Sequence, residues 1–439
     1  MSDQKNWGII GGGILGMTLA LRLSKQGNKV TIFESAEKPG GLTSSWEMNG
    51  VVWDRYYHVI LMSDLNTRKV LEEIGLADEL NWVETKTGFY SEKKLHSMSN
   101  IIEFFKFPPI NLIDKFRLGL TIFVASKIKN WERLETIPVA DWLTRWSGKR
   151  VFEKIWLPLL KAKLGDNYTE TSAAFIWTTI QRMYAARKSG LKKEMFGYVK
   201  GGYEKINSQF ASYLSNSGVD FKLNSVVKSI NTLEDGKICV VTESAEEQVF
   251  DSVISTLSSQ LSVKIAPQLT DVEKKQHNDI KYLGVICPSV MLRKPISPYY
   301  VTNITDSWPP FTGIIEMTAL IDKSEIKGNN LIYLPKYVNP QDSLFEKSSE
   351  EIKDVFMGAL FKMYPHINED DLLFWGVTKS RVVFALPTIQ YSKKVPGVFT
   401  SIGNYYIINS AQILNGTLNV NETIHVAESK LKLIQTQHD

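Results

Sequence analysis

The segment that most restricts this chain is residues 7–34, WGIIGGGILGMTLALRLSKQGNKVTIFE. Residues 7–10 form a short apolar run of strand character, followed by Gly11, Gly13 and Gly16 in the pattern G-x-G-x-x-G. Residues 14–25 then carry apolar side chains at helical spacing. Gly27 supplies the stop, because glycine readily takes the left-handed turn after a helix. A second apolar run, residues 29–33, ends in Glu34. Strand, glycine turn, helix, strand and carboxylate together give this motif a mechanical meaning. Gly11 permits the tight turn, Gly13 lets a pyrophosphate approach the backbone, and Gly16 lets the helix close on the sheet. The first helical amides, those of Ile14 and Leu15, face the anion along the helix dipole. Glu34 is placed to accept hydrogen bonds from ribose hydroxyls and repels a 2′-phosphate. The expected ligand is therefore a dinucleotide without that phosphate.

Composition narrows the remaining classes. The 439 residues are 43% hydrophobic and 22% charged, an ordinary globular balance that excludes disorder and collagen-like repetition. A net charge of +4 over this length gives no footprint for nucleic acid, which needs lysine and arginine concentrated on one face. Cys239 and Cys287 are too far apart in sequence for a CxxC pair or a zinc framework, and the six histidines show no metal-ligand spacing. No metal is expected, and such sparing cysteine use fits a reducing, cytoplasmic location. Residues 7–23 imitate a signal-peptide core, but Asp3 and Lys5 cancel ahead of it and three glycines interrupt it. No run of about 18 uncharged apolar residues occurs, so no membrane-spanning segment is expected. Residues 104–131 mix aromatics with Lys106, Lys115, Arg117, Lys127 and Lys129. That pattern describes a core-facing helix with a solvated lysine face, or a basic amphipathic surface of the kind that makes peripheral membrane contact.

Beyond Glu34 and Ser35, the chain continues with Gly40, Gly41, Leu42, Thr43 and Ser44. Here the sequence resembles the superfamily of FAD-dependent amine oxidases, protoporphyrinogen oxidases and phytoene desaturases. Those proteins follow a ribose-binding Glu with a GG(R/x)xxS/T turn against the flavin phosphates and ribityl chain. Leu42 replaces the arginine common after the two glycines. More distant segments resemble the family in the same order. Gly201-Gly202-Tyr203 precedes a helical stretch and a strand. The resemblance then makes the backbone of Val226 or Val227 a candidate for the adenine. Gly403-Asn404 is similar to the closing G-D element, with Asn in place of the acid. Residues 415–422, including Leu418, lead into a helix at 423–433, whose start is where the family places amides near the flavin carbonyls. The cofactor implied is noncovalent FAD.

These pieces fall at residues 1–70, 200–260 and 390–439, leaving residues 71–199 and 261–389 as two inserts. The first has helical spacing, at 67–76, 112–127, 139–146, 151–164 and 171–186. The second has β-rich runs at 285–292 and 330–337, with a helix at 348–364. The expected fold is α/β: a Rossmann-like FAD-binding domain interleaved with a mixed helix-plus-sheet substrate domain. Ligand sites favour such junctions.

The flavin supplies the reactive group, so few protein residues are required for chemistry. His58, after Asp54 and Tyr56, partly matches a D-x-G-x-H segment that faces the flavin in related proteins. It is equally readable as a strand histidine satisfied by backbone. Lys379 lies near the region where amine oxidases carry a lysine beside the flavin, and Arg381 offers a contact for an anionic substrate. Tyr405 and Tyr406 read as walls of the ring site or as aromatic core. The leading expectation is an oxidoreductase that takes a hydride from a small organic substrate, by amine oxidation or C–C desaturation. The alternatives are a flavin-dependent isomerase resembling UDP-galactopyranose mutase, and a non-enzymatic binding protein of the same fold resembling the Rab GDP-dissociation inhibitors. Oligomeric state is not legible.

Overall fold

A computed structural model describes residues 4–187, 194–414 and 416–438. Its first layer is a five-stranded parallel sheet, ordered Val219–Lys222, Lys29–Phe33, Asn6–Ile10, Ser252–Ser255 and Tyr405–Ile407. The two strands of the glycine motif are buried from their second residue onward, as parallel strands covered on both faces must be. Helix Ile14–Ser24 follows the glycine turn and is almost wholly buried. It packs against the final helix, Val420–His438, which contributes Ile424, Ala427, Leu431 and Ile434 at helical spacing to the same core. Arg22 ties three helices together by pairing with Glu73 of helix Leu65–Glu73 and Glu428 of the final helix.

The second layer is an eight-stranded mixed sheet built from both inserts. Strand Tyr282–Leu292, buried at every residue, lies next to one edge and pairs there with the 14-residue strand Leu372–Ala385. The first insert is helical where expected, at Leu112–Lys127, Val139–Ser147, Leu157–Leu164 and Ala173–Arg187. It also contributes strands Thr87–Ser91 and Lys94–Ser97 to this sheet, a hairpin that carries no glycine signal. Its two turn residues, Glu92 and Lys93, have positive φ values of 53° and 60°. Their amides donate to the Asp306 carboxylate at 2.8 and 2.9 Å, so a distant side chain holds a turn that Asn-Gly normally makes locally. In the second insert, helix Ser349–Met363 starts at a reciprocal capping box between Ser348 and Glu351.

Helix Leu112–Lys127 departs from the core-facing expectation. It buries Leu118, Thr121 and Ala125, yet leaves Leu112, Ile113 and Phe116 exposed at 68%, 71% and 70%. Phe123, and Ile102 and Phe105 from the preceding helix, extend the exposed apolar face. Among the described residues, no helix is long and apolar enough to cross a membrane.

Candidate functional site

The glycine turn and the second glycine pair meet at the C-terminal edge of the parallel sheet. Gly11 has φ +109°, and a Cβ there would lie 2.3 Å from the Thr256 hydroxyl. At Gly16 a Cβ would lie 1.9 Å from the carbonyl oxygen of Gly11, so this glycine permits the helix to close on its own turn. The Gly40 amide donates to the Gly12 carbonyl at 2.9 Å, joining the two turns. Glu34 Oε2 accepts the Gly12 amide at 2.7 Å, and its Oε1 accepts the Ala36 amide at 2.9 Å. The carboxylate thereby braces the glycine turn while lining the adjoining cavity. No side chain caps the first turn of helix Ile14–Ser24, and that turn holds no acidic residue. Its amides are therefore suited to an anion.

The cavity is continuous and measures about 1090 Å³. Gly11, Gly13, Ile14, Leu15, Glu34, Ser35, Gly40, Gly41, Leu42 and Thr43 line one end, together with Val226 and Val227. Leu418 lines it from the approach to the final helix. Gly16 lies behind this lining, where it serves packing. The cradle fits a dinucleotide: facing glycines, an uncapped helix start and a carboxylate at ribose distance from the turn. A further residue secures it from behind. Asn207, buried on helix Gly202–Asn216, donates to the Thr43 carbonyl at 2.9 Å and accepts the Thr43 hydroxyl at 3.1 Å. In sequence its signal was a lone amide on an otherwise apolar face of Tyr203, Ile206 and Phe210.

Two sets of expectations are corrected. Gly403 and Asn404 precede strand Tyr405–Ile407, at the end of the sheet away from the glycine turns, and neither lines the cavity. Asn404 instead donates to the Gly236 carbonyl at 3.1 Å. The residue that reaches the cavity is Ser410, just after the strand, because ligands gather at the C-terminal ends of parallel strands. Lys379 donates to the carbonyls of Phe345 and Lys347, and Arg381 pairs with Glu346 and the Pro340 carbonyl. Two residues apart on one strand, they share the face turned to residues 340–347 and do not line the cavity. Tyr405 and Tyr406 are buried core.

His58 does line the cavity. Its Nδ1 lies 3.1 Å from the Tyr56 carbonyl and 3.9 Å from Asp54 Oδ2. Burial pushes the imidazole down to about 4 and the Asp54 carboxyl up to about 8. At neutral pH the two therefore form an uncharged contact instead of an ion pair. Asp54 Oδ1 also accepts the Tyr203 amide at 2.8 Å, anchoring the helix that carries Asn207. Beside His58, the hydroxyls of Tyr57 and Tyr337 are 2.9 Å apart. From there the cavity opens into a chamber walled by Trp156, Leu159, Leu160, Phe175, Ile176 and Phe384.

Residues 16–387 match the family described as flavin containing amine oxidoreductase, and the chain belongs to that family. Among curated relatives, the 15-cis-phytoene desaturase of Narcissus pseudonarcissus is 23% identical over 52% of this chain and 43% of its own length. The zeta-carotene desaturase of a Synechocystis species is 25% identical over 52% and 51%. Protoporphyrinogen oxidase 2 of Arabidopsis thaliana is 23% identical over 36% and 32%. The chain thus spans about half the length of the desaturases it matches, and less of the oxidase. Two solved structures share the fold over nearly the whole of both chains. Reduced UDP-galactopyranose mutase superposes with a TM-score of 0.76 at 15% identity, covering 99% of this chain and 95% of its own. Putrescine oxidase bound to putrescine superposes with a TM-score of 0.73 at 17% identity, covering 98% and 99%.

The buried pair at Asp54 has a measurable consequence. Asp54 holds its proton in the folded chain after an unfolded aspartate would have lost it, so its contribution to stability falls as pH rises from 3.8 to about 8. His58 acts in the opposite sense, losing stability as pH falls from 6.5 towards about 4. Between pH 6.5 and 8 only the Asp54 slope remains from this pair. Over that interval the wild type should lose about 1–2 kcal/mol relative to Asp54→Asn, measured by denaturant unfolding. Parallel stability curves would contradict the neutral carboxyl.

Proposed function

We propose that this protein is an oxidoreductase that holds one noncovalent FAD across the glycine turns and oxidises an apolar organic substrate at a C–H bond. Desaturation of a C–C unit is favoured over amine oxidation. The observation that carries this reading is the single cavity joining the dinucleotide cradle to a chamber walled by apolar and aromatic side chains. The carboxylates lining the cavity among the described residues are Glu34, at the cradle, and Glu243, whose amide donates to the Val226 carbonyl. The chamber therefore offers an alkylammonium no counter-ion. A nucleotide-sugar diphosphate calls for more than one free cation, whereas the chamber's Arg182 is engaged by Asp64 at 2.9 Å, leaving Lys163 as its one cation without a carboxylate partner among the described residues. Retention of Glu34 with the paired glycines speaks for a cofactor-using protein over a binding protein of the same fold.

The bound flavin supplies the hydride acceptor. Gly11, Gly13 and the amides of Ile14 and Leu15 take the pyrophosphate, Glu34 the ribose, and Val227 the adenine edge. Leu418 and the start of the final helix take the opposite end. The uncharged His58 and the linked Tyr57 and Tyr337 hydroxyls form the polar margin between cradle and chamber. Apolar walls exclude water from the reacting carbon. Residues 1–70, 200–260 and 390–439 act as the cofactor unit, and residues 71–199 and 261–389 as the substrate unit. The free, buried state of Cys239 and Cys287 suits a reducing compartment such as the cytoplasm. The expected behaviour is an oxidised-flavin band that bleaches anaerobically with an apolar substrate and returns with an electron acceptor. Replacing Glu34 by Ala removes a charged acceptor worth about 1.5–3 kcal/mol and should weaken FAD binding roughly 10- to 100-fold by fluorescence titration. Unchanged affinity would refute the ribose assignment.

The exposed apolar face of helix Leu112–Lys127 is proposed to rest on an anionic lipid surface. Its apolar residues are flanked by exposed Lys106, Lys127 and Lys129, the charge pattern of an interfacial helix. Co-sedimentation with phosphatidylglycerol vesicles should exceed that with phosphatidylcholine vesicles. It should fall to background in the double variant Ile113→Asp, Phe116→Asp while flavin content stays constant. Equal sedimentation of wild type and variant, or a dimer in solution that the double variant dissociates, would overturn this surface assignment.

A further inference from the structure

The chamber wall contributed by helix Leu157–Leu164 and the residue preceding it is not uniformly apolar. Trp156, Leu159, Leu160 and Lys163 follow one another at helical spacing, and all four line the cavity. A stripe of apolar side chains thus ends in an ammonium group. This lysine does not reach out to a surface carboxylate. Its Nζ lies 3.5 Å from the centroid of the Tyr337 ring and 5.8 Å from that of Phe384. Among the described residues, no carboxylate stands within ion-pair distance of it. The other cations lining the cavity differ in placement. Arg182 is paired with Asp64, while Lys228 and Lys264 lie with Val227 and Leu261 at the nucleotide end.

An ammonium resting on an aromatic face gains a modest interaction, weaker than a charge-assisted hydrogen bond to an anion in the same surroundings. The chamber therefore contains a positive charge whose strongest partner is absent among the described residues. The Tyr337 hydroxyl, 2.9 Å from that of Tyr57, places one free O–H donor on the same wall, the other being spent within the pair. An incoming anion would thus meet an ammonium and a hydroxyl pair, while its apolar body lay along Trp156, Leu159 and Leu160.

We propose that Lys163 is the anion-binding residue of the substrate chamber, and that the ligand it selects is an amphiphile: an apolar body bearing a carboxylate or phosphate group. This rests on the reading of the chamber as the substrate site given above. Lys163 sets the polarity of what enters: it attracts anions, leaves neutral hydrocarbons without a charged contact, and repels alkylammonium groups.

Isothermal titration of the purified protein with decanoate, decyl phosphate and decan-1-ol tests this directly. In the wild type, at least one anion should bind about tenfold or more tightly than the alcohol. Which anion binds more tightly identifies the headgroup chemistry. Lys163→Met should bring the anions to within about twofold of the alcohol, and Lys163→Arg should retain the preference. The proposal is overturned if the alcohol matches both anions in the wild type, if no probe binds, or if the preference survives in Lys163→Met. Survival would assign it to surface lysines. The flavin band is read in the same samples and also reports the fold of each variant. A flavin-bearing protein without anion preference loses the subsite alone. A flavin-free protein with Lys163-dependent preference loses the redox reading and keeps the subsite.

Discussion

The site depends on one short hydrogen bond, from the Gly12 amide to the Glu34 carboxylate at 2.7 Å. A strand-to-helix turn of glycines has few side-chain contacts to hold it, and glycine has more conformational freedom to lose than any other residue. Glu34 supplies the missing restraint from the end of the neighbouring strand. The Gly40 amide then closes the second turn onto the Gly12 carbonyl, and Asn207 braces that turn through Thr43. Each later element inherits its place from this joint. Helix Ile14–Ser24 can leave the turn only because Gly16 lies directly against the Gly11 carbonyl. The final helix packs along that helix and brings Leu418 to the far end of the cradle.

From this joint the cavity changes character along its length. At the cradle it is bounded by backbone amides and a carboxylate, the groups that hold a charged, hydroxylated ligand. Past His58 and the tyrosine pair it is bounded by indole, phenyl and aliphatic surface, broken by Lys163 and the Asp64-paired Arg182. The Asp54–His58 contact stands beneath this boundary, and burial keeps both groups uncharged at neutral pH. Neutrality there spares this boundary the cost of a buried charge that lacks a counter-ion.

The sequence made the cradle legible because its parts are local. The glycine spacing, the following amphipathic run and Glu34 all fall within one strand–helix–strand unit, and Gly40 and Gly41 follow closely. What required the fold was long-range. The G-D-like pair Gly403-Asn404 resembled the closing element, but the strand begins only after it, so the cavity is reached at Ser410. Lys379 and Arg381 lay in the expected stretch, yet strand alternation turned both towards residues 340–347. The Glu92-Lys93 hairpin was invisible because Asp306, over two hundred positions away, holds its turn. Lys163 carried no motif at all; only its position at the end of a helical stripe, against Tyr337, shows that its charge faces the chamber.

The central claim is that this cradle holds FAD and holds it without a covalent bond. Its most direct test is to denature the purified protein, remove the polypeptide by ultrafiltration and identify the flavin in the filtrate by chromatography. The account predicts FAD in the filtrate at close to one per chain once the protein has been saturated before denaturation, with no flavin left on the polypeptide. A filtrate containing only FMN, a flavin retained by the denatured chain, or a protein that takes up no flavin when FAD is supplied would contradict it.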